Sequence, residues 1–134
     1  MRALVLATAL LVSSAAGAQD GMPAHLVLPG ADWTLTALDG KAVTTARPPT
    51  LSVTMAGAMA GFSGCNRYFG QLMFAGQAEV TASRIGMTRM VCPQEAMALE
   101  SAFTRALQEV TEWRHANGIV TFEGNGGSLR FERK

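Results

Sequence analysis

The sequence predicts a mainly β, α+β domain: an antiparallel sheet with one amphipathic helix packed on it. Three observations predict it. Short stretches of alternating polarity recur along the chain. One segment alone carries a helical period. The C-terminal part reads as a meander punctuated by Asn-Gly and Gly-rich turns.

Residues 1–18 read as a secretory signal peptide. Arg2 supplies a positive charge, Ala3 to Val12 is apolar except for Thr8, and Ala16-Gly17-Ala18 has the small-x-small pattern of a cleavage site. The run is shorter than the roughly 20 apolar residues a membrane-spanning helix needs. No cysteine follows the cleavage site, so a lipid anchor there is not expected. The expectation is an exported protein, periplasmic or secreted, with its cysteines in an oxidising compartment. Removing 18 of 134 residues leaves 116, one domain's worth. Arg2 leaves with the signal, so the 11 basic residues fall to 10, against 10 acidic ones. A balanced charge without a Lys/Arg block argues against a nucleic-acid partner. No second long apolar stretch predicts a transmembrane segment.

Residues 19–30 contain Gly21, Pro23, Pro29 and Gly30 without a clear period, and read as a flexible lead-in to a domain over 31–134. Trp33 to Leu38 alternates as a half-buried strand and ends at the Asp39-Gly40 turn signal. After Pro48-Pro49, Leu51, Val53 and Met55 alternate with Ser52 and Thr54 as another strand. Met59 to Gly76 has weak periodicity; Gly57, Gly61, Gly64 and Gly70 there suggest bends, bulges or close strand approach.

The helix follows Cys92. Pro93 suits the first helical position, and Glu95 lies in the first turn, where the helix dipole favours an acid. Ala96, Leu99, Phe103, Ala106, Leu107 and Val110 form one apolar stripe, with Glu100, Ser101, Thr104, Arg105 and Gln108 assigned to the other side. Val110 to Ala116, a turn at Asn117-Gly118, Ile119 to Glu123 and a turn over Gly124 to Gly127 then make the meander. In the last strand Leu129 and Phe131 point inward, and the charges of Arg130, Glu132 and Arg133 suit an edge strand.

Cys65 and Cys92 are the two cysteines. An even count in an exported chain favours a structural disulfide over two buried thiols or a redox or nucleophilic pair. No Cys-x-x-Cys motif supports the last. His25 and His115 are too few and too scattered to complete a zinc set, so neither metal nor cofactor is expected. Gly61-Phe62-Ser63-Gly64-Cys65 departs from the Gly-x-Ser-x-Gly pattern at its last position, and no phosphate-binding glycine loop occurs. Met55, Met59, Met73, Met87, Met90 and Met97 are read as core filling rather than a soft ligand surface. A Cys65–Cys92 bridge would gather Asn66, Arg67, Tyr68 and Arg89 into one neighbourhood. Arg89 is expected to tie loop carbonyls together, with recognition of a carboxylate as its alternative.

Gly64-Cys65-Asn66-Arg67-Tyr68-Phe69-Gly70 and Thr88-Arg89-Met90-Val91-Cys92-Pro93 resemble the paired signatures of the META domain family, the heat-shock HslJ-like proteins. Trp33-Thr34-Leu35, Glu100 to Phe103 with Leu107, and Gly127 to Phe131 agree in order and spacing. Leu72 stands where the family often has a tyrosine. The resemblance implies a partly rolled, barrel-like antiparallel sheet with one helix. It also implies an envelope or secreted protein linked to stress tolerance, antibiotic resistance or secretion. It supplies no catalytic residues; Cys65, Asn66, Arg67, Arg89 and Cys92 match signature positions. The leading expectation is therefore a monomeric, noncatalytic module that binds an envelope protein, a peptide or a small molecule. An inhibitor of an exported hydrolase, or an enzyme using Cys65 or Cys92 as its thiol, are the alternatives.

Overall fold

A computed structural model describes residues 22–134. The signal peptide and the start of the lead-in lie outside the described residues. Nine strands follow one another: β1 Trp33–Leu38, β2 Lys41–Ala42, β3 Thr50–Val53, β4 Ala58–Phe62, β5 Arg67–Ala75, β6 Glu79–Met87, β7 Val110–Ala116, β8 Ile119–Gly124 and β9 Gly127–Arg133. Helix α1 covers Ala24–Val27, and α2 covers Gln94–Gln108 between β6 and β7. Each strand pairs antiparallel with its neighbour, and β9 returns to pair with β1, while β2 hangs from β1 as a short hairpin. The sheet thus closes into an eight-stranded antiparallel barrel, with α2 packed on β6, β8 and β9.

Closure removes the edge expected at the C-terminus. β9 is bonded on both sides, to β8 and to β1, so its charged residues merely face outward from an interior strand. The tight turns form where the sequence placed them. Asp39-Gly40 and Asn117-Gly118 both have positive φ (51° and 78°; 53° and 75°), the geometry of a two-residue hairpin turn.

Alternate side chains fill the barrel: Trp33 and Leu35, Leu51 and Val53, Val120 and Phe122, Leu129 and Phe131 are all buried. From α2, Phe103 packs edge-on against Tyr68 and Phe131, with ring centroids 5.4 and 6.3 Å apart. Tyr68 is a core residue; its hydroxyl donates to the Thr50 carbonyl at 2.7 Å, and burial raises its pKa. Strands β3 and β4 approach closely at Gly61, where a Cβ would lie 2.2 Å from the Thr50 carbonyl oxygen.

Several local readings need correction. Part of the segment read as a lead-in packs into the domain: Ala24, Val27 and Leu28 are buried, and the Trp33 indole N–H donates to the Leu28 carbonyl. Pro93 caps α2 rather than starting it, and Val110 opens β7 instead of ending the helical stripe. β3 stops at Val53, leaving Met55 in an exposed turn. The methionines are mostly not core: Met59 is buried, Met87 and Met97 half-buried, and Met55, Met73 and Met90 exposed. Strand β6 has a bulge. Phe69 faces Gly86 and Gln71 faces Ser83, so Gly70 opposes two residues, and the extra one, Arg84, has φ 53°.

Candidate functional site

Cys65 and Cys92 are disulfide-bonded, with Cα atoms 5.9 Å apart. The bridge joins the four-residue β4–β5 loop, Ser63 to Asn66, to the β6–α2 connection. Helix α2 lies directly on that loop. Gly64 has φ 120°, and a Cβ there would sit 3.2 Å from the Glu100 amide nitrogen and 3.3 Å from the Ala96 carbonyl oxygen.

Asn66 organises the junction. Buried at 3% exposure, it uses its whole side chain. Its Oδ1 accepts from the Met90 amide at 2.6 Å and from the Thr88 hydroxyl at 3.0 Å. Its Nδ2 donates to Glu100 Oε2 at 2.9 Å and to the Met90 carbonyl at 3.3 Å. Thr88 Oγ1 also accepts the Arg67 amide at 3.1 Å, and the Thr88 amide donates to the Arg67 carbonyl at 3.0 Å. The 88–92 segment is therefore held by a covalent bond at one end and an amide clamp in the middle.

Glu100 completes the clamp from α2. Its Oε1 accepts from the Asn66 amide at 2.7 Å and lies in short contact with the Ser63 hydroxyl, which also approaches the Asn66 carbonyl at 2.7 Å. Burial alone would raise its pKa. Hydrogen bonds from the Ser63 side chain, the Asn66 backbone and side chain and the Cys65 backbone outweigh that, holding the carboxyl below its usual range. Glu100 is only 6% exposed, so the solvent-facing side assigned to it was wrong. Ser63 and Glu100 were both missed as site residues. Glu100 sits four residues after Ala96 and three before Phe103, on the apolar stripe itself, and that placement was the available signal.

Arg89 does not tie loops together. It is exposed, and its guanidinium has no hydrogen bond or ion pair among the described residues. Arg67 is likewise exposed, with no side-chain partner among the described residues. The tying role expected of Arg89 belongs to Asn66. Arg89 instead borders an open groove of about 640 Å³, lined also by Phe69, Met87, Met90, Val91 and Met97. Phe69, Met90 and Val91 are 59%, 55% and 93% exposed. Both cysteines are consumed by the bridge, and no group of three or more metal-ligating side chains occurs among the described residues.

The META domain family profile matches residues 26–134, nearly all of the described chain. The chain belongs to the META domain family. This META domain is similar in structure to a protein from Burkholderia xenovorans solved by NMR, at 26% identity and a TM-score of 0.67, covering 92% of this chain and 96% of that one. A second protein solved by NMR shares the fold at 24% identity and a TM-score of 0.68, over 83% of this chain and 95% of its own. No curated protein sequence matches the chain. In this META domain the two signature segments are the two sides of the bridge: one supplies Asn66, the other the segment that Asn66 clamps.

Proposed function

We propose that this META domain is an exported, noncatalytic envelope protein of the stress-response and antibiotic-tolerance type. It binds its ligand, a peptide, protein or small molecule, in the groove beside Arg89. One observation carries the reading. A segment pinned by the bridge and by Asn66 presents exposed Met90 and Val91 with a guanidinium that has no partner among the described residues. Preformed apolar surface beside an exposed cation is what recognition needs, because little ordering is left for binding to do. Family membership and the signal-like N-terminus support export, and the bridge is compatible with an oxidising compartment. The bridge leaves no thiol for nucleophilic chemistry. Among the described residues no helix is long and apolar enough to cross a membrane.

The ligand chemistry is an apolar group beside a carboxylate or another anion, which an arginine fork receives. Titrating the isotope-labelled mature chain with N-acyl-leucine and with short peptides ending in a free carboxylate tests this by NMR. The amides of Arg89, Met90 and Val91 should shift, and Arg89→Ala should abolish the shifts while the protein still melts normally. Shifts confined to the far side of the barrel, or none with either probe, would overturn the reading.

A further inference from the structure

Beyond that groove, the same barrel face carries a second one. Along β5 the outward residues are Arg67, Phe69, Gln71 and Met73, since Tyr68 and Leu72 point into the core. Phe69 borders the Arg89 groove, with its ring lying against Gly86 of β6. Gln71 and Met73 border the other, of about 610 Å³, with Met55, Phe74, His25 and Arg84. Met55 and Met73 are 76% and 63% exposed. One ridge of protruding apolar side chains thus runs from Val91 and Met90 past Phe69 to Met73 and Met55. Arginines flank it throughout: Arg89 and Arg84 on the β6 side, Arg67 beside Phe62 on the β4 side, and Arg47, whose guanidinium stacks 4.5 Å above the Phe62 ring.

Cations outnumber carboxylates along this stretch of the chain, with exposed Glu95 standing just beyond it in the first turn of α2. From Thr44 to Cys92 the chain has four arginines and a single carboxylate, Glu79. Glu79 lies at the far end of β6, paired with Ala75 and Glu112. Glu100, which borders the first groove, is spent on Ser63 and Asn66. Neither Arg67, Arg84 nor Arg89 has a side-chain ion pair among the described residues.

We propose that this face docks on an anionic lipid bilayer. The inference rests on the reading of the Arg89 face as the binding face, and names its partner. A discrete small ligand is best held by apolar groups lining a concavity. Here Val91 and Met55, 93% and 76% exposed, stand out at the rims of two open grooves with arginines beside them. That arrangement matches side chains entering the interface of a membrane while cations meet the headgroups. The outward Ala58 and Ala60 of β4 leave the wall low beside Phe69, so ridge and arginines can approach a flat surface together.

Co-sedimentation with vesicles tests it, using phosphatidylcholine alone and phosphatidylcholine with one-third phosphatidylglycerol. The mature chain should partition onto the anionic vesicles and stay in solution with the neutral ones. Half-molar salt should release most of it, because exposed charges are screened. Removing one cation from such a surface weakens partitioning about five-fold, so Arg67→Gln with Arg89→Gln should weaken it about 25-fold. Arg114→Gln removes a charge on β7, outside both grooves, and should leave partitioning unchanged. Equal behaviour on the two vesicle types, or Arg114→Gln matching the double variant, would overturn the inference. Monomeric dihexanoyl phosphatidylglycerol and the carboxylate probes separate the two levels. If either shifts the Arg89 groove while vesicles do not bind, the groove is a soluble ligand's site and only the membrane inference fails. If vesicles and soluble probes alike leave the face untouched, both readings fail.

Discussion

Replacing Glu100 by glutamine tests the clamp at its charged member. The carboxylate's donors include the Asn66 amide and Ser63 hydroxyl on Oε1, and Asn66 Nδ2 on Oε2. Glutamine keeps the shape but offers one acceptor oxygen. Its amide nitrogen would face Asn66 Nδ2, donor against donor. Asn66 cannot turn over to help, because its Oδ1 is engaged by Met90 and Thr88. One charge-assisted bond is lost and a buried donor is orphaned, at a cost of about 2–3 kcal/mol. For a domain of this size that lowers Tm by roughly 8–15 °C at neutral pH. The pH dependence gives a second readout. The folded carboxyl has a depressed pKa, so its contribution is complete above the unfolded value, about 4.3, and is lost as pH falls through the lower folded value. The melting gap between wild type and Glu100→Gln should therefore be widest near pH 7 and narrow toward pH 3. Circular-dichroism melts across that range measure it. A variant melting within a degree of wild type at pH 7, or a gap that does not change with acid, would refute this account.

Reduction of the Cys65–Cys92 bridge, which spans 27 positions, should cost about 3–4 kcal/mol on the chain-entropy view and speed hydrogen exchange at the Met90 amide; melts and exchange with and without reductant check both. Arg89→Ala should change Tm by no more than about 2 °C, because the side chain is exposed and no partner loses a bond. Gly61→Ala should destabilise by about 1–3 kcal/mol in a denaturant titration, since its methyl meets the Thr50 carbonyl and would push β3 from β4. Intact mass of the exported protein should show loss of residues 1–18; a mature form that still begins at Met1 would contradict export.

The parts of the fold that depend on near neighbours were legible. Asn117-Gly118 and Asp39-Gly40 turn because few other residue pairs tolerate two positive φ values in succession. The α2 stripe was legible because its burial repeats at the helical period. Strand β6 was not, and its bulge explains why. Val80 and Ala82 face the core at even positions, then the extra residue Arg84 shifts the parity, and Ile85 and Met87 face it at odd ones. No two-residue period survives that shift. Closure was hidden for another reason. Whether charged Arg130 and Glu132 flank an edge or the outside of a paired strand depends on β1, almost a hundred residues away. The buried end of the lead-in lacked a period because one helical turn is too short to show one.

The candidate site shows the same division between what is local and what is not. Charge placed Glu100 outside, position placed it inside, and position was right because the donors of Ser63 and Asn66 were waiting in a loop that only the fold brings near. Net charge is blind to distribution: it is zero over residues 19–134, while the stretch from Thr44 to Cys92 holds four arginines and one carboxylate, with Arg84 and Arg89 bordering the two grooves. The inward placement of Glu100 has one consequence for this META domain. The groups that fix the 88–92 segment, namely Ser63, Asn66, Glu100 and the bridge, are mostly buried and satisfied among themselves. The groups that the segment displays, Arg89, Met90 and Val91, contribute to that clamp only through backbone atoms at Met90. Substitutions at the displayed side chains should therefore alter the proposed binding without lowering Tm, whereas substitutions at the clamp should lower stability and binding together. A scan in which Arg89, Met90 and Val91 variants lost Tm as steeply as Asn66 and Glu100 variants would show that display and support are one unit.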